Sequence, residues 1–203
     1  MTDRFQFTPI PFKIDQVKLT SDTHAWHKNI ARGTSSWKSG FRDFDDQYEM
    51  TEHLIHQINS HVKPTDCLIH HGDWSFGGAE NVIKFRQRLN CQNIYLMQGN
   101  HDIHVTQGHV RDGYFKEYTQ IGYYEVEGIK IVSGHFPYAQ WYHKTEGILH
   151  PFGHVHGCFE QGSRSMDVGV DNAYKIFGEY RPFYLTEFIE IVSKKDATPI
   201  RTR

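Results

Sequence analysis

The chain has 203 residues with 24 acidic and 22 basic side chains, a formal net charge of −2, so it carries no overall field for gripping DNA or an anionic membrane. Its mean hydropathy is −0.62 and no apolar run approaches the roughly 20 residues that span a bilayer, which argues against a transmembrane helix. Residues 1–11 hold one arginine and no apolar stretch, so they do not read as a signal peptide, and the unpaired spacing of Cys67, Cys91 and Cys158 suits a reducing compartment.

The expectation is a cytoplasmic protein with one domain over 1–203; neither a repeat nor a long linker divides it. Val17-Lys18-Leu19-Thr20 reads as a short strand that runs into Asp22-Thr23-His24. Residues 27–44, rich in Gly, Ser and aromatics, read as an irregular loop. Asp45 or Asp46 suits the N-cap of a helix over 46–62, whose Met50, Leu54, Ile58 and Val62 recur at helical spacing ahead of Pro64. Cys67-Leu68-Ile69-His70 reads as a buried strand entering Gly72-Asp73, with Cys67 and Cys91 as buried thiols. Gly77-Gly78 precedes a helix over 79–89, and 93–97 is the next strand, ending at Gly99-Asn100-His101-Asp102. Segments 123–126 and 129–133 flank Glu127-Gly128 as a hairpin that leads to Gly134-His135. Further strands are expected over 147–152 and 166–170, and Thr186 is a candidate cap for a last helix through Ser193.

Carboxylate, imidazole and amide oxygen thus end successive strand-like runs. That mixture suits two divalent transition metals sharing one carboxylate. Singly, each residue has a plainer reading: Asp22 and Asp73 as caps, Asn100 as a turn residue, His154 and His156 as exposed histidines. Their recurrence at strand ends favours metal binding. In Gly153-His154-Val155-His156, side chains two apart on an extended segment would share one side and reach neighbouring metals.

The order D-x-H, G-D, G-N-H-D, G-H, G-H-x-H, spread over about 17–156, resembles the calcineurin-like metallophosphoesterase superfamily. The resemblance implies an α/β fold of two packed mixed β-sheets flanked by helices, with the site on strand-end loops. It implies that Asp22, His24, Asp73 and His156 hold a first metal and that Asp73, Asn100, His135 and His154 hold a second, with Asp73 as bridge. His101 would be the general acid for the leaving oxygen, and Asp102 would accept a hydrogen bond from its ring; the plainer role of Asp102 is to cap the next turn. The cofactors expected are two divalent ions, manganese first, with iron, zinc and nickel also suited to these donors.

A subgroup of small bacterial and phage phosphoesterases has a similar run to Ser21–Ile30 and a later counterpart of Asp167-Val168-Gly169-Val170-Asp171. Within that resemblance His27 touches substrate phosphate; as an isolated residue it is an exposed loop histidine. Asp171-Asn172 reads as a turn. The first motif departs from the common D-x-H-x-G pattern by placing Trp26 where glycine is usual, which puts the backbone of that loop in question. Arg32, Arg42, Arg111 and Arg164 are loop arginines, either phosphate clamps or solvated. Phe136, Tyr138, Trp141 and Tyr142 follow a candidate ligand and would form a stacking wall or pack on the sheet edge, with Tyr114, Phe115 and Tyr118 as another wall.

The expected function is metal-dependent phosphoester hydrolysis, first of all of nucleotide-type phosphodiesters, with a phosphomonoesterase as the alternative. A silent scaffold of this fold would have no use for His101 beside a full ligand set. The chain is short for the groove elements of protein phosphatases, and its charge argues against stable DNA binding. The partner expected is a small phosphoester substrate.

Overall fold

The computed structural model describes residues 6–35 and 42–195. In chain order the strands are β1 (Thr8–Pro9), β2 (Val17–Thr20), β3 (Cys67–His70), β4 (Asn93–Met97), β5 (Glu117–Thr119), β6 (Ile121–Val126), β7 (Ile129–Gly134), β8 (His150–Phe152), β9 (Ser165–Asp167) and β10 (Phe183–Tyr184). The helices are α1 (Gln47–His61), α2 (Ala79–Gln87), α3 (Gln107–Arg111), α4 (Val170–Phe177) and α5 (Leu185–Ser193).

One sheet has the order β10-β2-β3-β4-β5, parallel except for β10 at its edge. The other is built from β1-β6-β7 and the parallel pair β8-β9. Leu149 joins those two parts, donating its N–H to Lys130 O at 3.1 Å and accepting from Val132 N at 2.8 Å. The period of two along the strands sorts the core. Val17, Leu19, Cys67, Ile69 and Met97 face Tyr124, Val126, Ile131 and Met166 of the second sheet. Leu68, Ile94 and Leu96 point the other way, onto Ile55 and Ile58 of α1 and Val82 and Phe85 of α2. The result is two packed mixed sheets with outer helices. No helix among the described residues is long and apolar enough to cross a membrane.

Helix α1 begins where Asp46 accepts from Tyr48 N and Glu49 N, satisfying two otherwise unpaired donors. Helix α2 stops at Gln87, short of the expected 89. Three other expectations shift. The strand foreseen over 166–170 ends at Asp167, because the Asp167 carboxylate accepts the Gly169 N–H at 2.7 Å and Val170 then opens α4. The strand foreseen over 147–152 is only His150–Phe152, since Gly147 sits at φ 85 after a 3-10 turn. Thr186 is not a cap: α5 starts at Leu185, and the Tyr184 N–H donates to Glu187 Oε2 at 3.0 Å. The 27–44 loop contains short 3-10 turns at Lys28–Ile30 and Arg32–Thr34; positions 36–41 of it lie outside the described residues.

At one end the sheets are stitched together. Ser21, just beyond β2, bridges Gly169, just beyond β9, and the Val170 N–H donates to Ser21 O at 3.2 Å. This brings the loops after β2, β3, β4, β7 and β8 to a common edge.

Candidate metal centre

The loop after β2 carries Asp22 and His24, that after β3 carries Asp73, and that after β4 carries Asn100, His101 and Asp102. His135 follows β7, and His154 and His156 follow β8. Asp22, His24, Asp73 and His135 are each at most 2% exposed. Asp73 Oδ2 lies 3.5 Å from His24 Nε2 and 3.6 Å from His135 Nε2, between the two imidazoles. Asp22 Oδ1 lies 3.8 Å from His24 Nε2 and 3.9 Å from His156 Nε2. Asn100 Oδ1 is within 2.8 Å of His135 Nε2 and 2.9 Å of His154 Nδ1. All seven predicted ligands therefore converge.

The donors fit divalent cations. The donor atoms of Asp22, His24 and His156, and those of Asp22, Asp73 and His135, lie within 4.8 Å of one another. Both ring nitrogens of His24 are buried with no hydrogen-bond partner among the described residues. A buried polar group left so is costly unless something else satisfies it, and an imidazole nitrogen among carboxylates suits a metal.

The loop backbones are unusual. Asp22 (φ 55), His24 (φ 46), Asp73 (φ 57), His154 (φ 72) and His156 (φ 49) all occupy the left-handed region. Each such residue costs on the order of 1–3 kcal/mol, and strain of this kind gathers at functional sites. The 153–156 segment is therefore not extended, as the two-residue spacing suggested; left-handed turns aim both histidines instead. Trp26 (φ 61) adopts the conformation that glycine would provide there. Its N–H donates to Thr51 Oγ1 at 2.8 Å, and its ring packs on Phe85, so tertiary contacts hold the loop. Gly99 is needed for close approach: a Cβ there would lie 2.2 Å from Asp73 Oδ1.

Surrounding groups fix the candidate ligands. The His135 Nδ1–H donates to His71 O at 2.7 Å, which leaves Nε2 facing Asp73 and Asn100. Asp171 Oδ2 lies 2.6 Å from His156 Nδ1, and Arg42 grips the same carboxylate through Nε at 2.8 Å and Nη2 at 2.7 Å. Arg42 also donates to Asp22 O at 2.5 Å and Thr23 O at 3.0 Å. Burial works against a charge on Asp171, yet Arg42 and His156 hold its pKa down to about 2. Burial likewise opposes a charge on His156, and the Asp171 hydrogen bond with the nearby Asp22 charge outweighs it, raising the pKa. His24 lacks such a partner; burial, then Arg42, pushes its pKa well down.

Several expectations change here. Asp102 takes the capping role: its two oxygens accept from Asp73 N, Trp74 N and Gly99 N at 2.8–2.9 Å, locking the loops after β3 and β4 together. No His101 ring hydrogen bond to it is present among the described residues. Arg42 is completely buried and no phosphate clamp, and the Arg164 guanidinium donates to Val192 O at 2.9 Å in α5. Asp171 is more than a turn residue. Trp141 is 8% exposed, with its Nε1–H donating to Ile148 O at 2.8 Å and its ring against His150, so it supports the loop and offers no stacking face. Tyr138 stacks on His150 at 5.0 Å. Phe115 and Tyr118 are buried in the helix-side core, with Tyr114 packed against it, and form no second wall.

Two rings do border the centre. Phe76, which the sequence did not single out, stacks on His27 at 3.7 Å and lies 5.3 Å from His24 and 5.1 Å from His101. His27 is 5.3 Å from His24, so it belongs to the rim of the site. Phe136 meets His135 at 4.9 Å and His154 at 4.7 Å while remaining 41% exposed. His101 is exposed, 5.6 Å from the His24 ring, and its N–H donates to Asp73 Oδ1 at 2.9 Å.

Among solved structures, the chain matches a protein of unknown function, AQ665 from Aquifex aeolicus, with a TM-score of 0.58 and 20% identity over 86% of this chain and 98% of that one. That likeness bears on the fold alone. No curated protein matches. The family model of calcineurin-like phosphoesterases matches residues 16–191, which take in every strand but β1 and every loop of the centre. With Asp and His clusters able to hold metal at its heart, the chain belongs to the calcineurin-like phosphoesterases.

Proposed function

We propose that the protein hydrolyses nucleotide-type phosphodiesters with a two-cation centre, Asp22, His24, Asp73 and His156 holding one cation and Asp73, Asn100, His135 and His154 the other. Asp73 would be the ligand shared by both cations: its Oδ2 faces both His24 and His135, and its Oδ1 is engaged by the His101 N–H. Bound there, divalent cations, manganese first, would neutralise phosphoryl oxygens and lower the pKa of a water. The protein's own groups do the rest. The Asp73 bond fixes the His101 backbone, and the exposed His101 ring delivers its proton to the leaving oxygen. Asp102 keeps the bridging loop and the His101 loop in register.

The observation that favours a diester is the pair of aromatic borders, Phe76 with His27 beside His24 and Phe136 beside His135 and His154. A diester places an esterified group on each side of phosphorus and gains from apolar flanks. A monoester dianion gains more from added cations, and Arg42 is wholly committed to Asp171 and backbone carbonyls. The partner is a small phosphoester in the cytoplasm rather than polymeric DNA, in keeping with the net charge of −2. A panel in Mn²⁺ of bis-p-nitrophenyl phosphate, p-nitrophenyl phosphate, cyclic nucleotides and short oligonucleotides tests the reading. Higher kcat/KM for the diesters is expected; higher kcat/KM for p-nitrophenyl phosphate across the panel overturns it in favour of a monoesterase.

A further inference from the structure

Between the loop after β4 and the loop after β7 lies a cavity of about 340 Å³ lined by Gln98, Asn100, Gln120, Ile121, Phe136 and Tyr138. It adjoins the candidate centre directly, because Asn100 lines it and also meets His135 and His154 through Oδ1. Its walls are of two kinds. Phe136 and Ile121, 41% and 38% exposed, offer apolar surface, and the edge-on contacts of Phe136 with His135 and His154 orient its ring. Tyr138 is held flat against His150, at an interplanar angle of 15°. The other kind is carboxamide. Gln98 and Gln120 are exposed, and their side chains have no hydrogen-bond partner among the described residues. The Gln98 backbone is pinned by its N–H bond to Thr119 O at 2.8 Å, so its side chain starts from a fixed point on the rim.

Among the described residues no charged side chain lines this cavity. It therefore suits a neutral, flat ligand portion carrying adjacent donors and acceptors. A carboxamide offers both a donor and an acceptor, which matches the edge of a nucleobase, and an aromatic face accepts its π-surface. We infer that this cavity is a nucleobase subsite, with Phe136 beneath the base and Gln98 and Gln120 reading its edge, the ester phosphate lying at the centre beside Asn100. The inference rests on the phosphodiesterase reading for its reaction, but not for its binding.

The test separates the two. Side-chain amide resonances of Gln98 and Gln120, assigned by their loss in Gln98→Leu and Gln120→Leu, are followed while the protein is titrated with ribonucleoside 5′-monophosphates and with ribose 5-phosphate. At least one nucleotide should shift both amides, ribose 5-phosphate should not, and the double variant should bind that nucleotide roughly tenfold more weakly. The inference is overturned if the sugar phosphate shifts the amides equally, or if every nucleotide leaves them unmoved. Nucleotide binding of the expected kind without hydrolysis of any diester overturns the phosphodiesterase reading and leaves the subsite standing. Diester hydrolysis with unmoved amides overturns the subsite alone.

Discussion

The two halves of the candidate centre are built differently. On one side Asp22 and His24 are buried, His156 is braced by Asp171 and Arg42, and both His24 ring nitrogens are left without a hydrogen bond among the described residues. On the other side Asn100 and His154 are exposed, and the candidate donors crowd one another: Asn100 Oδ1 lies 2.8 Å from His135 Nε2 and 2.9 Å from His154 Nδ1. The first half is preorganised, and a cation there displaces little. In the second, Asn100 must part from the two imidazoles it meets before a cation can enter. The contrast teaches that one candidate site can combine a rigid, committed position with an adaptable one, and that the adaptable one opens toward the aromatic border of Phe136.

The largest effect should come from breaking what the halves share. Asp73→Asn, which weakens the carboxylate oxygen 3.5 Å from His24 and 3.6 Å from His135, should remove hydrolysis and metal from both positions. Elemental analysis that still found two metals per chain would sink the bridging assignment.

Next in size is His101. His101→Ala should leave metal content intact and slow turnover by roughly 10²–10⁴-fold for poor leaving groups, with a much smaller loss for p-nitrophenolate, which needs little protonation. Equal losses for good and poor leaving groups would remove His101 from the acid role.

The contrast between halves is sharpened by Asp171. A calorimetric titration with Mn²⁺ should resolve a tighter step before a weaker one, and Asp171→Asn should weaken only the tighter step, by roughly 10–100-fold. If the variant weakens the second step instead, or both alike, the bracing of His156 does not distinguish the halves.

The smallest expected effect concerns the supporting loop. His150 is buried and uses both nitrogens, Nδ1 toward Val132 O at 2.8 Å and Nε2 accepting the Tyr138 N–H at 3.1 Å. That fixes a neutral ring, and burial takes its pKa from the usual 6.5 to about 4. Because the folded value is depressed, the stabilisation is present above about 6.5 and is lost as pH falls toward 4, by about 3 kcal/mol in full. Denaturant midpoints should fall from pH 7 to pH 4.5, and less steeply in His150→Gln. A wild-type slope matched by the variant would assign the acid sensitivity to other groups.

Much of this was written in the local sequence. The runs Val17–Thr20, Cys67–His70 and Asn93–Met97 announce strands by composition, and each carries donor residues just past its end; the resemblance of the ordered motifs to a known family then implied the full set of seven without coordinates. Asp46 and the helical spacing behind it marked α1 for the same reason. Helix α4 was missed because Val168 and Val170 continue an apolar pattern, whereas the Asp167 carboxylate ends the strand by capturing the Gly169 N–H.

What the sequence determined, then, was the chemistry: which donors exist, in what order, and on which strand ends. The tertiary structure alone decided how they are held. Arg42 and Asp171 are 129 positions apart, so nothing local could reveal that one braces the other behind His156. The left-handed turns at Asp22, His24, Asp73, His154 and His156 run against local preference and exist only because packing between the loops of two sheets outweighs it. The same packing buried Trp141, turned Asp102 from a partner of His101 into a clamp between loops, and set Phe76 and Phe136 at the border of the centre. Ligand identity is a property of short segments; burial and orientation depend on what meets them from across the fold.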